Sequence, residues 1–239
     1  MTQRTVALGY LLFVLTILFP VGVVLSSCFG YTFELTSVSI FAIGIALISL
    51  VLCISVSKKM DTHISGVLGV LFSFLTPLSI VNAVFLMLAC PKAWVVISVF
   101  VTIGCSAYLT IKCGKPRFLK MILWVLSAII ILPVGFIGWI LLMFGNLSQN
   151  TVVQTVESPN GAYYAEVIDS DQGALGGDTL VKVYENGGLR LLVFNIYKSP
   201  QTVYHGEWGA YENMEIYWKN DQCLVINSVE YPIEQADYP

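Results

Sequence analysis

The sequence predicts a membrane α-helical bundle of about five transmembrane helices followed by a small all-β antiparallel sheet or sandwich domain. Three observations predict it. The 239 residues are 56% hydrophobic and only 11% charged, a composition that needs lipid around it. Long apolar runs fill the first ~145 residues and then give way to short β-branched and aromatic stretches divided by turn residues. The charge is also split. Through Asn150 there are eight basic residues against Glu34 and Asp61, a net of +6, and beyond it four basic against thirteen acidic, a net of −9.

A span needs about 20 mostly apolar residues to cross ~30 Å of hydrocarbon. Five segments qualify: 5–27, 34–56, 64–89, 93–111 and 119–145, which make a helical domain of residues 1–145. Pro20, Pro77 and Pro133 fall inside the first, third and fifth, where lipid-embedded helices tolerate them. Orientation follows from the basic residues, which stay on the cytoplasmic side. The N-terminus and the loops 57–63 and 112–118 hold Arg4, Lys58, Lys59, Lys112, Lys115 and Arg117, with Lys120 at the helix edge. The opposite short loops hold only Lys92. The expected localisation is therefore a multi-pass cell-membrane protein with a cytoplasmic N-terminus and residues 146–239 as an extracytoplasmic acidic domain.

Within the spans the polar residue that stands out is Asn82, able to bridge helices by hydrogen bonding, while Ala42 and Ala46 give a small face for close packing. No ionisable residue lies in a span interior. Leu25-Ser26-Ser27-Cys28 matches a lipoprotein processing site, but the long apolar run and four further spans favour a cysteine at a helix end. Cys28 and Cys90 both fall near the outer surface and could pair, with unpaired thiols the favoured reading.

Eight strands are predicted in the tail: 151–156, 162–168, 179–184, 189–194, 202–205, 214–218, 224–227 and 231–233. Ser158-Pro159-Asn160-Gly161, Glu185-Asn186-Gly187-Gly188 and Lys219-Asn220-Asp221-Gln222 serve as hairpin turns. Trp218 and Trp208 are expected to fill the core of this domain. The Ser158–Gly161 turn, the 169–178 loop and the run from Trp218 through Ile226-Asn227 to Tyr231 resemble an uncharacterised Gram-positive bacterial family of multi-pass membrane proteins with a small C-terminal extracytoplasmic β domain. The resemblance covers about 80 residues and implies fold and compartment, with no activity attached.

Asp169, Asp171 and Asp178, separated by glycines, are a weak calcium candidate, since hard cations take carboxylate oxygens but the run fails the full calcium-loop spacing. Recognition is expected on two outward loops: Gly173, Leu175, Gly176 and Asp178 in one, and His205, Glu207, Trp208 and Tyr211 in the other. Cys223 with His205 is the one nucleophile and base pair in the tail, and no catalytic signature surrounds either. His63 and His205 fall on opposite sides of the membrane and cannot share a metal. The acidic tail excludes nucleic acid as a partner. The reading is a non-enzymatic protein, without cofactor, whose partners are the lipid bilayer and, through the outer domain, a protein, envelope component or small ligand. The alternative is a transport-related accessory subunit or small carrier with a regulatory outer domain.

Overall fold

A computed structural model describes residues 3–58, 66–144, 149–173 and 176–233. It carries five helices long and apolar enough to cross a membrane: α1 (Gln3–Cys28), α2 (Val38–Ser57), α3 (Gly66–Ala89), α4 (Ala93–Cys113) and α5 (Arg117–Phe144). Each predicted span is present, and the prolines sit inside α1, α3 and α5. The strands are β1 (Tyr31–Leu35), β2 (Gln149–Glu157), β3 (Tyr163–Asp171), β4 (Gly177–Glu185), β5 (Leu189–Arg190), β6 (Phe194–Lys198), β7 (Gln201–Glu207), β8 (Ile216–Asn220), β9 (Cys223–Ile226) and β10 (Val229–Pro232). They form three sheets of order β2-β3-β4-β7, β10-β9-β8 and β1-β6-β5.

The chain divides into two compact units, and the cut is not a single point. The helical unit holds Met1–Ser26, Phe33–Gly145 and the short piece Leu191–Phe194, while the β unit holds Ser27–Thr32 with the remainder of the tail.

In the helical unit the second span begins at Val38 and not at residue 34, because Tyr-Thr-Phe-Glu-Leu alternates as a strand and Ser37 then caps the helix by accepting from the Ile40 N–H at 3.3 Å. Phe33 and Leu35 are buried and Glu34 faces out. A Cβ on Gly22 of α1 would lie 2.8 Å from the Phe33 ring, so that glycine is what admits the aromatic. Phe33 also stacks on Phe194 at 4.8 Å.

Helices α3 and α4 bury small hydroxyls toward each other. Thr76 and Thr110 hydroxyls are 2.8 Å apart, Ser79 and Ser106 2.7 Å, and the Thr110 hydroxyl donates to the Phe72 carbonyl at 2.7 Å. The spacing explains the seam: Ser73, Thr76, Ser79 and Asn82 recur every three residues on α3, and Ser98, Thr102, Ser106 and Thr110 every four on α4, so successive members of each row are neighbours on the helix surface. Trp94 and Trp139 are exposed on their helices, as lipid-interface anchors would be.

In the β unit the four-stranded and β10-β9-β8 sheets share one core, which makes it a small sandwich. Ala165, Val167, Val181 and Val183 come from the first, and Ile216, Leu224 and Ile226 from the second. The Trp218 indole N–H donates to the Val156 carbonyl at 3.0 Å, tying the two together.

Seven of the eight predicted strands lie for at least half their length within one observed strand. The predicted strand 189–194 does not survive: only Leu189–Arg190 is a strand, Leu191 turns back by donating its N–H to the Phe194 carbonyl at 2.9 Å, and Phe194–Lys198 forms an unpredicted one. Glu185–Gly188 is consequently not a hairpin turn, since β4 pairs with β3 and β7 while β5 pairs with β6. The other two turns close hairpins as expected. Asn160 Oδ1 accepts the Ala162 N–H and Asn220 Oδ1 the Gln222 N–H, the side-chain-to-backbone bonds that suit Asn to turns.

Candidate functional site

Strand register decides which of the singled-out residues meet. On β3 and β4, Asp169 lies opposite Thr179 and Asp171 opposite Gly177, on the same face as the buried pair Val167 and Val181. Ser170 lies opposite Asp178 on the other face. Successive strand residues point to opposite faces, so Asp169 and Asp171 share one face and Asp178 has the other. The three carboxylates do not converge on one cation, and no group of three or more His, Cys, Asp or Glu able to hold a metal occurs among the described residues. Instead Asp171 Oδ1 accepts the Gly173 N–H at 2.7 Å, and Asp178 Oδ2 accepts from Gln172 Nε2 at 3.0 Å.

The two predicted recognition loops do come together. Asp178 is paired with Glu207, and Leu180 with His205, so the loop that enters β4 and the segment that leaves β7 emerge at one end of the four-stranded sheet. His205 Nε2 lies 3.6 Å from Asp178 Oδ1, with the imidazole 65% exposed. Leu175 of the first loop lies outside the described residues. After Glu207 the chain turns through Gly209, whose φ of +78° is the left-handed region that favours glycine, into a short 3-10 helix, Ala210–Asn213.

Trp208 does not fill the core. It is 55% exposed, and its ring lies against Gly177, where a Cβ would be 2.7 Å from the indole and 2.6 Å from the Ser170 carbonyl. Next to it Tyr211 donates its phenol to the Asp169 carboxylate, whose charge holds the phenol above its usual pKa, aided by burial and by Glu212. Asp169 Oδ1 and the buried Thr179 hydroxyl have no hydrogen-bond partner, which leaves two polar atoms unsatisfied behind this aromatic pair. The result is an exposed Trp and a half-buried Tyr on the face that carries Asp169 and Asp171, with Glu212 beside Tyr211, while Asp178 and Glu207 belong to the opposite face of the sheet.

Cys223 and His205 are not brought together: the thiol faces Glu230 Oε2 at 3.7 Å in the β10-β9-β8 sheet, while His205 is on β7 of the four-stranded sheet with its Nε2 3.6 Å from Asp178 Oδ1. All six cysteines are free thiols. His63 lies outside the described residues.

In the helical unit Asn82 is 2% exposed, yet its Oδ1 has no partner. It lines a small cavity with Ser79 and Thr102. The bridging expected of Asn82 is carried by Thr76–Thr110 and Ser79–Ser106 instead. The β-branched and small hydroxyl residues were visible in the sequence, and their three- and four-residue spacing was the signal that could have found this seam.

Comparison with protein-family models, curated proteins and solved structures gives no match.

Proposed function

We propose that this is a non-enzymatic integral membrane protein whose β domain is displayed on the extracytoplasmic side and binds the positively charged surface of a protein or envelope component. The observation that carries this reading is the meeting of the two loops at one sheet end, where exposed Trp208 and half-buried Tyr211 share a face with Asp169 and Asp171 and Glu212 lies beside Tyr211. Trp and Tyr are the residues on which interface energy concentrates, and charge complementarity selects and steers the partner. The orientation rests on the Lys and Arg asymmetry of the loops, and the assignment to a Gram-positive membrane family on the residues that resemble it.

Affinity recovery from native membranes with the full chain tests it. Trp208→Ala is expected to lose the captured partner while the protein stays in the membrane at wild-type level. Equal recovery by wild type and by Trp208→Ala, Tyr211→Ala and Asp178→Asn would end this reading. A cysteine placed at Asn186 is expected to react with an impermeant maleimide from outside intact cells, and protection there would reverse the orientation.

A second reading, a transport-related subunit or small carrier, draws on the buried hydroxyl seam and the unpartnered Asn82 oxygen between α3 and α4. It predicts that Asn82→Leu changes a substrate flux and leaves partner capture by the β domain intact.

A further inference from the structure

A groove of about 430 Å³ runs along α1 and α2 in the helical unit, with Leu15 on one wall, Ile40, Gly44 and Ile48 on the other, and Leu192 and Val193 at one end. Its polar lining is confined to Thr36 and Ser37 at that same end. The Leu191–Phe194 piece is fixed there by two hydrogen bonds: the Thr36 N–H donates to the Val193 carbonyl at 3.0 Å, and the Thr36 hydroxyl to the Leu191 carbonyl at 3.4 Å. Since α2 begins at Val38, these bonds hold the piece at the level where the span enters the hydrocarbon.

The length of the groove identifies the occupant. From Ser37 to Ile48 the helix rises about 16 Å at 1.5 Å per residue, close to half of a ~30 Å hydrocarbon core. The groove thus runs from the headgroup level to about the bilayer midplane, the reach of one leaflet. Leu192 is 94% exposed and Ile40 74%, so the rim and wall are continuous with the lipid-facing surface of the spans. A Cβ on Gly44 would meet nothing within 4 Å, so no side chain among the described residues fills the middle of the groove.

We propose that this groove seats one acyl chain of a membrane phospholipid from the leaflet adjoining the start of α2, with Leu192 and Val193 held over the chain and the headgroup beside Thr36 and Ser37. The piece Leu191–Phe194 is then a lipid clamp built from the tail, independent of the partner-binding end of the β sandwich.

The test uses the full chain in nanodiscs containing a phospholipid with a mid-chain diazirine, and maps adducts by mass spectrometry. Adducts at Ile40, Ile48 and Leu192 are expected in several-fold excess over those at Ile129 and Leu132 of α5, which are also exposed. Gly44→Leu is expected to abolish the excess and to leave the α5 labelling unchanged, and Leu192→Ser to reduce it. Uniform labelling of the groove and α5, or an excess that persists in both variants, overturns the proposal. A photoreactive amino acid in place of Leu192 in native membranes is expected to yield lipid adducts, and a crosslinked polypeptide there in their stead would also overturn it.

Discussion

The helical unit and the β sandwich solve the same problem with opposite patterns. The spans turn Ile, Leu and Val outward, as at Ile40, Leu47, Ile129 and Leu132, and bury Thr16, Ser49, Ser79, Ser106 and Thr110. The sandwich buries Val167, Val181, Leu224 and Ile226 and turns carboxylates such as Glu157, Glu185, Glu207 and Glu215 outward. Each arrangement follows from its solvent. Lipid rewards no apolar burial, so helices associate through close packing and hydroxyl bonds, whereas water drives apolar side chains together and solvates charge. A substitution should therefore cost most where it removes apolar volume in the sandwich and hydrogen bonds in the bundle.

The largest expected effect is in the sandwich core. Leu224→Ala removes a fully buried side chain and should cost about 2–5 kcal/mol, read as a lower unfolding midpoint of the full chain in nanodiscs. A loss no larger than that of Leu132→Ala, which is 77% exposed on α5, would break the contrast. Gly177→Ala follows, because its Cβ would be 2.6 Å from the Ser170 carbonyl, which is backbone and cannot swing away. A cost of about 1–3 kcal/mol is expected, together with displacement of Trp208 and weaker partner capture.

In the bundle Thr110→Val keeps the shape and deletes the hydroxyl shared with Thr76 and the Phe72 carbonyl, so about 0.6–1.7 kcal/mol should be lost. The same swap at an exposed serine such as Ser55, whose hydroxyl bonds only within its own helix, should have less effect.

The smallest effect belongs to the surface ion pair of Lys219 and Glu230, whose side chains are about half exposed. Its hydrogen bond and charge hold the Glu230 carboxyl below its ordinary value and Lys219 above its own. The Glu230 contribution is present above the unfolded carboxylate value and is lost as pH falls through the lower folded one. The Lys219 contribution is present below the unfolded lysine value and is lost as pH rises through the higher folded one. Lys219→Gln should flatten the acid-side dependence slightly at low salt, and molar salt should erase the difference.

The five spans were legible because an apolar run of about 20 residues has few other meanings. The sandwich strands were legible from alternation and turn residues. What escaped was the environment of apolar segments too short to span. Leu189 to Phe194 reads as a core strand by composition, yet its middle, Leu191–Phe194, belongs to the helical unit, a placement that periodicity alone cannot distinguish from a protein core. Tyr31–Leu35 was hidden in the same way, as a five-residue strand between two long spans. The candidate site was half legible. Gly and Asp marked the loops, but only the register revealed that Asp178 faces away from Asp169 and that Trp208 lies over Gly177 in place of filling the core.

The central claim, that recognition occurs at the end of the four-stranded sheet where Trp208 and Tyr211 lie, is tested most directly by photocrosslinking from two positions of the full chain in native membranes. A photoreactive residue replacing Trp208 is expected to capture a single partner in stoichiometric yield, and one replacing Asn186, at the far end of β4, is expected to capture none. Equal capture from both positions, or capture from Asn186 alone, would contradict the account.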